Sequence, residues 1–295
     1  MNFYTGLWVA VVTPFQNGQI DEAALQNLVG DLANRGVDGF VPLGTTGEAS
    51  CLSLDERRRV IQLVLEAADG RFVAPGCGTN VTSQSIELVK EAKILGAHGA
   101  MVITPYYNKP TQEGLYQHFR AIHEATDLPL MLYNVPGRTS VNMLPETVER
   151  LADLKRVAAV KEASGNLEQI AEVAARVDGR MTVLSGDDGL TLPILAVGGV
   201  GVVSVAGHVC PDLLKGIISS FDRRDTHSAL LLHQTLAPIA KAMFLETSPA
   251  PVKYALSVMG KMQNELRLPL VPVKKDTEGK IRAAIAPYLE NLHVA

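Results

Sequence analysis

Eight short apolar segments, rich in β-branched residues, recur along this 295-residue chain and alternate with longer amphipathic segments. Their spacing of about 20–35 residues is that of repeated strand–helix units. Because the segments are almost continuously apolar, they are typical of parallel strands that are covered on both faces. The predicted strands are residues 7–12, 39–43, 72–75, 99–103, 130–133, 157–160, 182–184 and 200–205.

The segments between the predicted strands have the spacing and the start signals of helices. Apolar residues recur three and four positions apart along residues 25–33, the pattern of a helix with one buried face. Ser53 with Glu56 matches the sequence signature of a capping box, and Asn166 with Gln169 resembles another helix start. Eight such strand–helix units in about 220 residues predict a TIM (β/α)8 barrel, an α/β fold.

A doubly wound parallel sheet is the alternative, because it also alternates strands and helices. Its dinucleotide-binding motif places glycines in the turn after the first strand, and residues 12–15 contain none. The glycine cluster at residues 198–201 precedes a predicted strand instead of following one, which is the wrong position for a phosphate-binding loop. The pattern therefore favours the barrel.

The alternation ends near residue 224, and the pattern beyond it is helical. Residues 230–244 continue at helical spacing, and residues 249–259 and 278–289 are predicted to form further helices. We therefore expect a (β/α)8 barrel catalytic domain at residues 1–224 and a C-terminal helical region at residues 225–295. No low-complexity linker separates them, so we expect the helical region to pack on the barrel or on a partner subunit.

Composition argues against several classes of protein. The chain has 27 Lys and Arg against 31 Asp and Glu, a net charge of -4 that argues against a nucleic-acid partner. Three cysteines without a CxxC pair and seven histidines without an HExxH motif argue against a disulfide framework and a metal site. The first basic residue is Arg35, so we expect no targeting peptide and a cytoplasmic location. Residues 189–211 are uncharged but rich in glycine, so we expect a short helix, a turn and a strand there, and no membrane span.

Lys161 is the clearest sign of chemistry. It directly follows a predicted strand, and the chemistry of TIM barrels takes place at the C-terminal ends of the strands. Burial disfavours the protonated form of a lysine amine, which then attacks carbonyl groups to form a Schiff base. The alternative is a structural ion pair, with Glu162 or Glu48 as the partner.

Three further polar groups follow predicted strands. Tyr133 stands one unit before Lys161 and could relay a proton or orient a carbonyl, although a core tyrosine fits the same position. Residues 44–47 (Gly-Thr-Thr-Gly) offer hydroxyls and N–H groups to a carboxylate, although an ordinary turn has a similar composition. Arg138 could bind a second carboxylate in bidentate fashion or remain a solvated loop residue.

Five short motifs stand at the ends of predicted strands. They are Gly-Thr-Thr-Gly-Glu at 44–48, Tyr-Tyr-Asn at 106–108, Tyr-Asn-Val-Pro-Gly-Arg at 133–138, Val-Lys-Glu-Ala-Ser-Gly-Asn at 160–166 and Ser-Gly-Asp-Asp at 185–188. In this order and spacing they closely resemble the dihydrodipicolinate synthase family of pyruvate-dependent class I aldolases. The resemblance covers nearly the whole chain and includes Pro-Ala-Pro-Val-Lys at 249–253.

The resemblance implies a Schiff-base mechanism that needs neither a metal nor an organic cofactor. Lys161 would form the imine with pyruvate, and Tyr133 would transfer protons along the reaction path. Thr45 would connect Tyr133 to Tyr107 in a proton relay. In the family this last tyrosine reaches in from the neighbouring subunit, so the resemblance implies a homo-oligomer, expected as a tetramer of two tight dimers.

The resemblance also implies the substrates. Thr46 would hold the pyruvate carboxylate, and backbone groups of Gly186 and Val203 would line the pyruvate pocket. Arg138 would bind the carboxylate of L-aspartate 4-semialdehyde. Condensation of this aldehyde with pyruvate gives 4-hydroxy-tetrahydrodipicolinate, on the route to diaminopimelate and lysine.

Two other functions are compatible with a barrel of this kind. Another pyruvate-dependent aldolase, such as an N-acetylneuraminate lyase or a 2-keto-3-deoxygluconate aldolase, would keep the same lysine. The Thr45-Thr46 pair and Arg138 favour the synthase, because the lyases usually have Ser-Thr and the sugar-acid enzymes usually lack the arginine. A non-catalytic barrel that binds a small ligand is the second alternative, and an intact lysine and proton relay argue against it.

Some members of the family bind lysine as an inhibitor at the dimer interface. Leu54 and Arg57 replace histidines that are common in sensitive bacterial members, and Gln84 replaces a glutamate. The effector's ammonium group therefore loses a carboxylate partner, and Arg57 adds a like charge, so we predict weak or absent inhibition by lysine. The positions at or near such a site are Ala49, Ser50, Leu54, Arg57, Asn80, Gln84 and Tyr106.

Overall fold

Eight parallel strands close into a barrel in the computed structural model, which describes residues 4–289. The strands are β1 (Gly6–Val9), β2 (Gly39–Phe40), β3 (Phe72–Val73), β4 (Ala100–Ile103), β5 (Leu130–Asn134), β6 (Val157–Glu162), β7 (Thr182–Ser185) and β8 (Gly201–Ser204). Their order around the sheet is β3-β2-β1-β8-β7-β6-β5-β4, and a parallel bridge between Gly76 and Met101 joins the two edges. The predicted TIM barrel is confirmed.

Helices alternate with the strands and surround them. They are α1 (Glu22–Asn34), α2 (Leu54–Ala67), α3 (Thr82–Ile94), α4 (Gln112–Ala125), α5 (Pro136–Thr139), α6 (Pro145–Ala152), α7 (Leu167–Val177), α8 (Thr191–Ala196), α9 (Pro211–Asp222), α10 (Thr226–Ala242), α11 (Ala250–Val258) and α12 (Lys275–Leu289). A short antiparallel pair, Phe15–Gln16 with Gln19–Ile20, lies between β1 and α1. Among residues 4–289, no helix combines the length and apolar composition that crossing a membrane requires.

Local signals account for several helix starts. The Ser53 hydroxyl accepts the N–H of Glu56 at 3.2 Å, and the Glu56 carboxylate accepts the N–H of Ser53 at 2.8 Å, so the predicted capping box is present at α2. Asn166 caps α7 by accepting the N–H of Gln169 at 3.2 Å. In α1 the buried residues are those of the predicted stripe at 25–33. The side chains of Ser53 and Asn166 thus satisfy N–H groups that the start of a helix leaves without a partner.

The apolar core has two parts. The larger part fills the space between strands and helices, and the smaller part fills the inside of the barrel. Tyr4, Trp8 and Phe72 pack ring to ring near the starts of the strands, with centroids 5.0–5.6 Å apart. The barrel interior consists of Tyr4, Trp8, Ala10, Val41, Ala74, Met101, Met131, Tyr133, Val135, Ala159, Leu184 and Val203.

The chain continues as helices after α9, as predicted. Helices α11 and α12 occupy nearly the predicted residues 249–259 and 278–289. Val252, Leu256 and Ile281 are fully buried and belong to the same apolar core as the barrel helices, so this region packs on the barrel. The division at residues 224 and 225 stays a prediction, and residues 290–295 of the predicted region lie outside the described residues.

Candidate active site

Lys161 and Tyr133 lie side by side at the C-terminal ends of two neighbouring strands. They are register partners in β6 and β5, and they are only 5% and 6% exposed. The Lys161 Nζ atom lies 4.1 Å from the centroid of the Tyr133 ring. The lysine is thus held beside a phenol in a site with little access to water.

The two carboxylates considered as ion-pair partners of Lys161 are bound elsewhere. Glu162 accepts hydrogen bonds from Asn134 Nδ2 at 2.5 Å and from Ser164 Oγ at 2.7 Å, and burial raises the pKa of this carboxyl group. Glu48 forms an ion pair with the fully buried Lys253. The structure therefore favours an available amine at Lys161 over the predicted alternative of a structural ion pair.

A cavity of about 780 Å³ opens at the same end of the barrel. Of the predicted catalytic and substrate-binding residues, Thr45, Tyr133 and Arg138 line it. Thr46, Lys161, Gly186 and Val203 lie outside its lining, and Thr46 and Val203 are only 4% and 1% exposed. The predicted effector positions in the lining are Ala49, Ser50, Leu54, Arg57, Gln84 and Tyr106.

The loop at residues 44–48 presents Thr45 to the cavity and buries Thr46. Leu43 before it and Glu48 at its end have left-handed backbones, with φ of 59° and 52°. Gly47 is needed for close packing, because a Cβ there would lie 3.0 Å from the Leu43 nitrogen and from the Val11 oxygen. Regular β2 ends at residue 40, before the predicted end at 43. The carbonyls of Val41 and Pro42 still accept N–H groups of Val11 and Gly76 at 3.0 and 2.8 Å, so the extended chain ends at the left-handed Leu43.

Gly186 brings its backbone close to Lys161. A Cβ at this position would lie 3.1 Å from the Lys161 Cε and 2.7 Å from the Ala163 Cβ. The Gly186 N–H donates to the Glu162 carbonyl at 2.7 Å, which continues the pairing of β6 and β7. Val203 lies in β8 as a member of the barrel interior, together with Tyr133. Both residues predicted to line the pyruvate pocket thus lie near the lysine–tyrosine pair or in its cluster.

Arg138 lies on the short helix α5 and reaches the C-terminal helical region. Its Nη2 atom donates to the Ser248 carbonyl at 3.5 Å, and Thr247 and Ser248 line the cavity beside it. The sequence analysis did not identify Thr247 or Ser248. They have no local motif, since only the fold brings them to Arg138.

Tyr107 stands apart from the other predicted catalytic residues. Its side chain is 90% exposed and lies outside the cavity lining. Its backbone is left-handed, with φ of 72°, which is uncommon for a residue other than glycine. Within the chain, therefore, the structure does not bring Tyr107 to Thr45 and Tyr133.

Among the predicted effector positions, Arg57 is buried and bound to backbone carbonyls. Its side chain is 9% exposed and donates to the carbonyls of Gly76 at 2.7 Å and Ala49 at 3.3 Å, and burial lowers the pKa of this guanidinium. Leu54 is 54% exposed and Gln84 is also exposed. At Asn80, the backbone carbonyl accepts a hydrogen bond from the side chain of Asn108 at 2.8 Å.

The sequence analysis also missed the ion pair behind the loop at residues 44–48. Lys253 is 0% exposed, pairs with Glu48 and donates to the Glu265 carbonyl at 2.9 Å. Its Nζ atom lies 4.1 Å from the centroid of the Phe15 ring. Burial lowers the pKa of Lys253, and the charge of Glu48 offsets part of that effect.

The arrangement suits covalent chemistry on a carbonyl compound. A phenol, a threonine hydroxyl and a guanidinium (Tyr133, Thr45 and Arg138) line one cavity. The buried Lys161 amine lies outside that lining, against the ring of the same phenol. An amine, a proton donor and an anion-binding group are what Schiff-base formation with an oxo acid requires. Within residues 4–289, no group of three or more His, Cys, Asp or Glu side chains is arranged to hold a metal ion.

Comparison with known proteins places the chain in a family. Residues 3–287 match the model of the Dihydrodipicolinate synthetase family. The 4-hydroxy-tetrahydrodipicolinate synthase of Citrifermentans bemidjiense is 48% identical over 286 residues, which cover 97% of this chain and 99% of that protein.

Two solved structures superpose closely on the chain. The crystal structure of dihydrodipicolinate synthase from Thermotoga maritima has a TM-score of 0.95 and 43% identity, and the match covers 99% of this chain and 100% of that one. The crystal structure of the synthase from Cyanidioschyzon merolae with lysine bound has a TM-score of 0.94 and 39% identity, with 97% and 98% covered. The chain belongs to the dihydrodipicolinate synthetase family.

Proposed function

We propose that this chain is a lyase that condenses pyruvate with L-aspartate 4-semialdehyde through a Schiff base on Lys161, giving 4-hydroxy-tetrahydrodipicolinate. The observation that supports this most directly is the buried Lys161 amine, which lies 4.1 Å from the Tyr133 ring at the end of the barrel. The names of relatives at 46–48% identity support the choice of reaction.

The chemistry follows from the electron demand of an imine. The Lys161 amine attacks the ketone carbon of pyruvate, and water leaves. The imine draws electrons from the adjacent methyl group, which loses a proton to give an enamine. The enamine carbon attacks the aldehyde carbon, and the new alkoxide takes up a proton. The product's own amino group then attacks the imine carbon, closes the ring and releases Lys161.

Each remaining group has a role in this scheme. Tyr133 donates and accepts protons beside the imine, and Thr45 connects it to a second phenol. Thr46 holds the pyruvate carboxylate, in a pocket that Gly186 and Val203 line. Arg138, which lines the cavity, binds the carboxylate of the aldehyde; a guanidinium suits this because it can donate two parallel hydrogen bonds.

Tyr107 completes the relay from a neighbouring subunit, so the active unit is a homodimer, and we expect two tight dimers to form a tetramer. The 90% exposed side chain on a left-handed backbone supports this, because it is held away from its own barrel. We place the enzyme in the cytoplasm, in lysine and diaminopimelate biosynthesis; its three cysteines are free, as is usual in a reducing compartment.

Reduction with borohydride in the presence of pyruvate tests the covalent step. The wild-type protein should gain the mass of a reduced pyruvate adduct on Lys161, and Lys161→Ala should gain none. Lys215→Ala is the control, because Lys215 forms a surface ion pair with Asp38 at 2.8 Å. A wild-type protein that stays unmodified would support the non-catalytic barrel instead.

The acceptor is tested in a parallel assay. The protein should condense pyruvate rapidly with L-aspartate 4-semialdehyde and should not cleave N-acetylneuraminate or 2-keto-3-deoxygluconate. Arg138→Leu should raise the KM of the semialdehyde and leave pyruvate trapping intact. Rapid cleavage of a sugar acid, with slow condensation, would identify one of the other aldolases.

A further inference from the structure

Glu48, the last residue of the loop at residues 44–48, is held by the C-terminal helical region. The carboxylate is 2% exposed on a left-handed backbone with φ of 52°. One of its oxygens pairs with the Lys253 ammonium, and the other accepts the backbone N–H of Arg267 at 3.1 Å. Strained backbones of this kind persist only where the surrounding structure fixes them.

Lys253 is itself fixed from several sides. Besides Glu48 it contacts the Glu265 carbonyl at 2.9 Å and the face of the Phe15 ring at 4.1 Å. The Arg267 guanidinium lies over the same ring at 4.4 Å. These contacts fix the position of the Lys253 ammonium group. Because Glu48 pairs with it, they fix the Glu48 carboxylate as well.

We propose that Lys253 and Glu48 are positioning residues for the condensation: their buried ion pair holds the loop at residues 44–48 so that Thr45 reaches the cavity and Thr46 meets the pyruvate carboxylate. This inference rests on the proposed function. Glu48 lines the cavity, but its two oxygens are held by Lys253 and by the Arg267 N–H, so we assign neither residue a contact with substrate. Replacing a buried ion pair by neutral groups of similar volume is often neutral for stability, so the geometry of the loop is the property that the pair controls.

A purely structural role predicts a different outcome in a double variant. The single changes Glu48→Gln and Lys253→Met each leave one buried charge without its partner and should lower the midpoint of thermal unfolding. The double variant removes both charges and should recover most of that loss. If the pair only stabilises the fold, activity returns together with the midpoint. If it positions the loop, activity stays low.

The experiment measures the midpoint, the steady-state constants and the borohydride-trapping rate for each variant, at a temperature at which all are folded. In the double variant we expect kcat/KM for pyruvate to fall roughly 10²-fold, the cost of a misplacement of about 1 Å. Trapping with pyruvate should slow in parallel. The KM of the semialdehyde should change little, because Arg138 is held separately by Ser248.

The matched control is Lys261→Met with Asp31→Asn. The Lys261 Nζ atom lies 2.5 Å from the Asp31 carboxylate, so this pair also joins the C-terminal helical region to the barrel. Its barrel partner, Asp31, belongs to α1 and not to the loop at residues 44–48. The control should leave the kinetics unchanged. Wild-type kinetics in the Glu48–Lys253 double variant, or an equal loss in the control, would overturn the inference alone.

Two further outcomes decide the remaining cases. A wild-type protein that forms no adduct with pyruvate would overturn the proposed function and this inference with it. If the double variant does not fold, Lys253→Arg replaces it, because it keeps the charge paired but moves the donor atoms. We expect a raised KM for pyruvate in that variant, and an unchanged KM would overturn the inference.

Discussion

Gly186 leaves room for the backbone after β7 to approach Lys161, the residue that we propose forms the Schiff base. Gly186→Ala places a methyl group 3.1 Å from the Lys161 Cε and 2.7 Å from the Ala163 Cβ, so the lysine stem has to move. We expect kcat/KM to fall roughly 10²-fold while the barrel still folds. Steady-state kinetics with circular dichroism check this result.

Gly189 provides the matched control for that change. It belongs to the same loop, and a Cβ there would meet only the Asp187 Oδ1 atom at an ordinary 3.5 Å. Gly189→Ala should therefore keep wild-type kinetics. Equal rates in the two alanine variants would show that the close approach at Gly186 has no effect on Lys161.

Arg57 and Gln84 determine the expected response to lysine. Arg57 keeps a buried positive charge beside the cavity, and Gln84 offers no carboxylate to an ammonium group. A titration of activity with lysine should therefore show no half-inhibition well below millimolar concentration. Gln84→Glu should strengthen inhibition by about fivefold at most, since position 84 is exposed, and Gln84→Ala is the control. Strong inhibition of the wild type would contradict this prediction.

Among the elements, the start of α2 should contribute to the stability of the fold in a pH-dependent way. The pKa of Glu56 falls from 4.5 to about 2. The main cause is the hydrogen bond from the Arg267 guanidinium, and the hydrogen bonds with Ser53 add to it. The charged form is thus favoured in the folded state. This contribution to stability is complete above pH 4.5 and is lost as the pH falls towards 2.

Glu56→Gln measures that contribution. At pH 7 we expect the free energy of unfolding to fall by about 1–2 kcal/mol, and the difference from the wild type should shrink as the pH falls from 4.5 to 3. Thr111→Ala is the control: it removes the neutral cap of α4, which accepts the N–H of Gly114 at 3.3 Å, and should cost about 1 kcal/mol at every pH. Denaturant unfolding across this pH range checks both, and a pH-independent difference for Glu56→Gln would contradict the assignment.

The helices and strands also show which features of the fold local sequence patterns can predict. The apolar runs, the capping box at Ser53 and the stripe of α1 are local signals, and each appears in the structure where the sequence predicts it. The ends of strands were less accurate, because a left-handed residue such as Leu43 has no compositional mark. The Glu48–Lys253 pair and the contact of Arg138 with Ser248 join residues far apart in the chain, so no local pattern predicts them.

For the whole molecule, the proposed relay raises the question of which subunit would supply Tyr107. Tyr107 is 90% exposed on its own chain, whereas Lys161 and Tyr133 are buried together in one barrel. If Tyr107 acts across the interface, a mixed dimer can combine an intact lysine from one subunit with an intact tyrosine from the other. Oligomers that exchange their subunits freely would form such sites from two inactive variants.

Mixing Lys161→Ala with Tyr107→Phe tests this directly. Each variant alone should be nearly inactive, and after refolding together about a quarter of all sites should be intact, because half of the dimers are mixed and each has one complete site. Mixing Lys161→Ala with Tyr133→Phe is the control, since both residues belong to the same subunit's site. Complementation only in the first mixture would establish a shared site, whereas activity in neither would place Tyr107 in the site of its own subunit. A Tyr107→Phe variant that is active alone would place Tyr107 outside the relay.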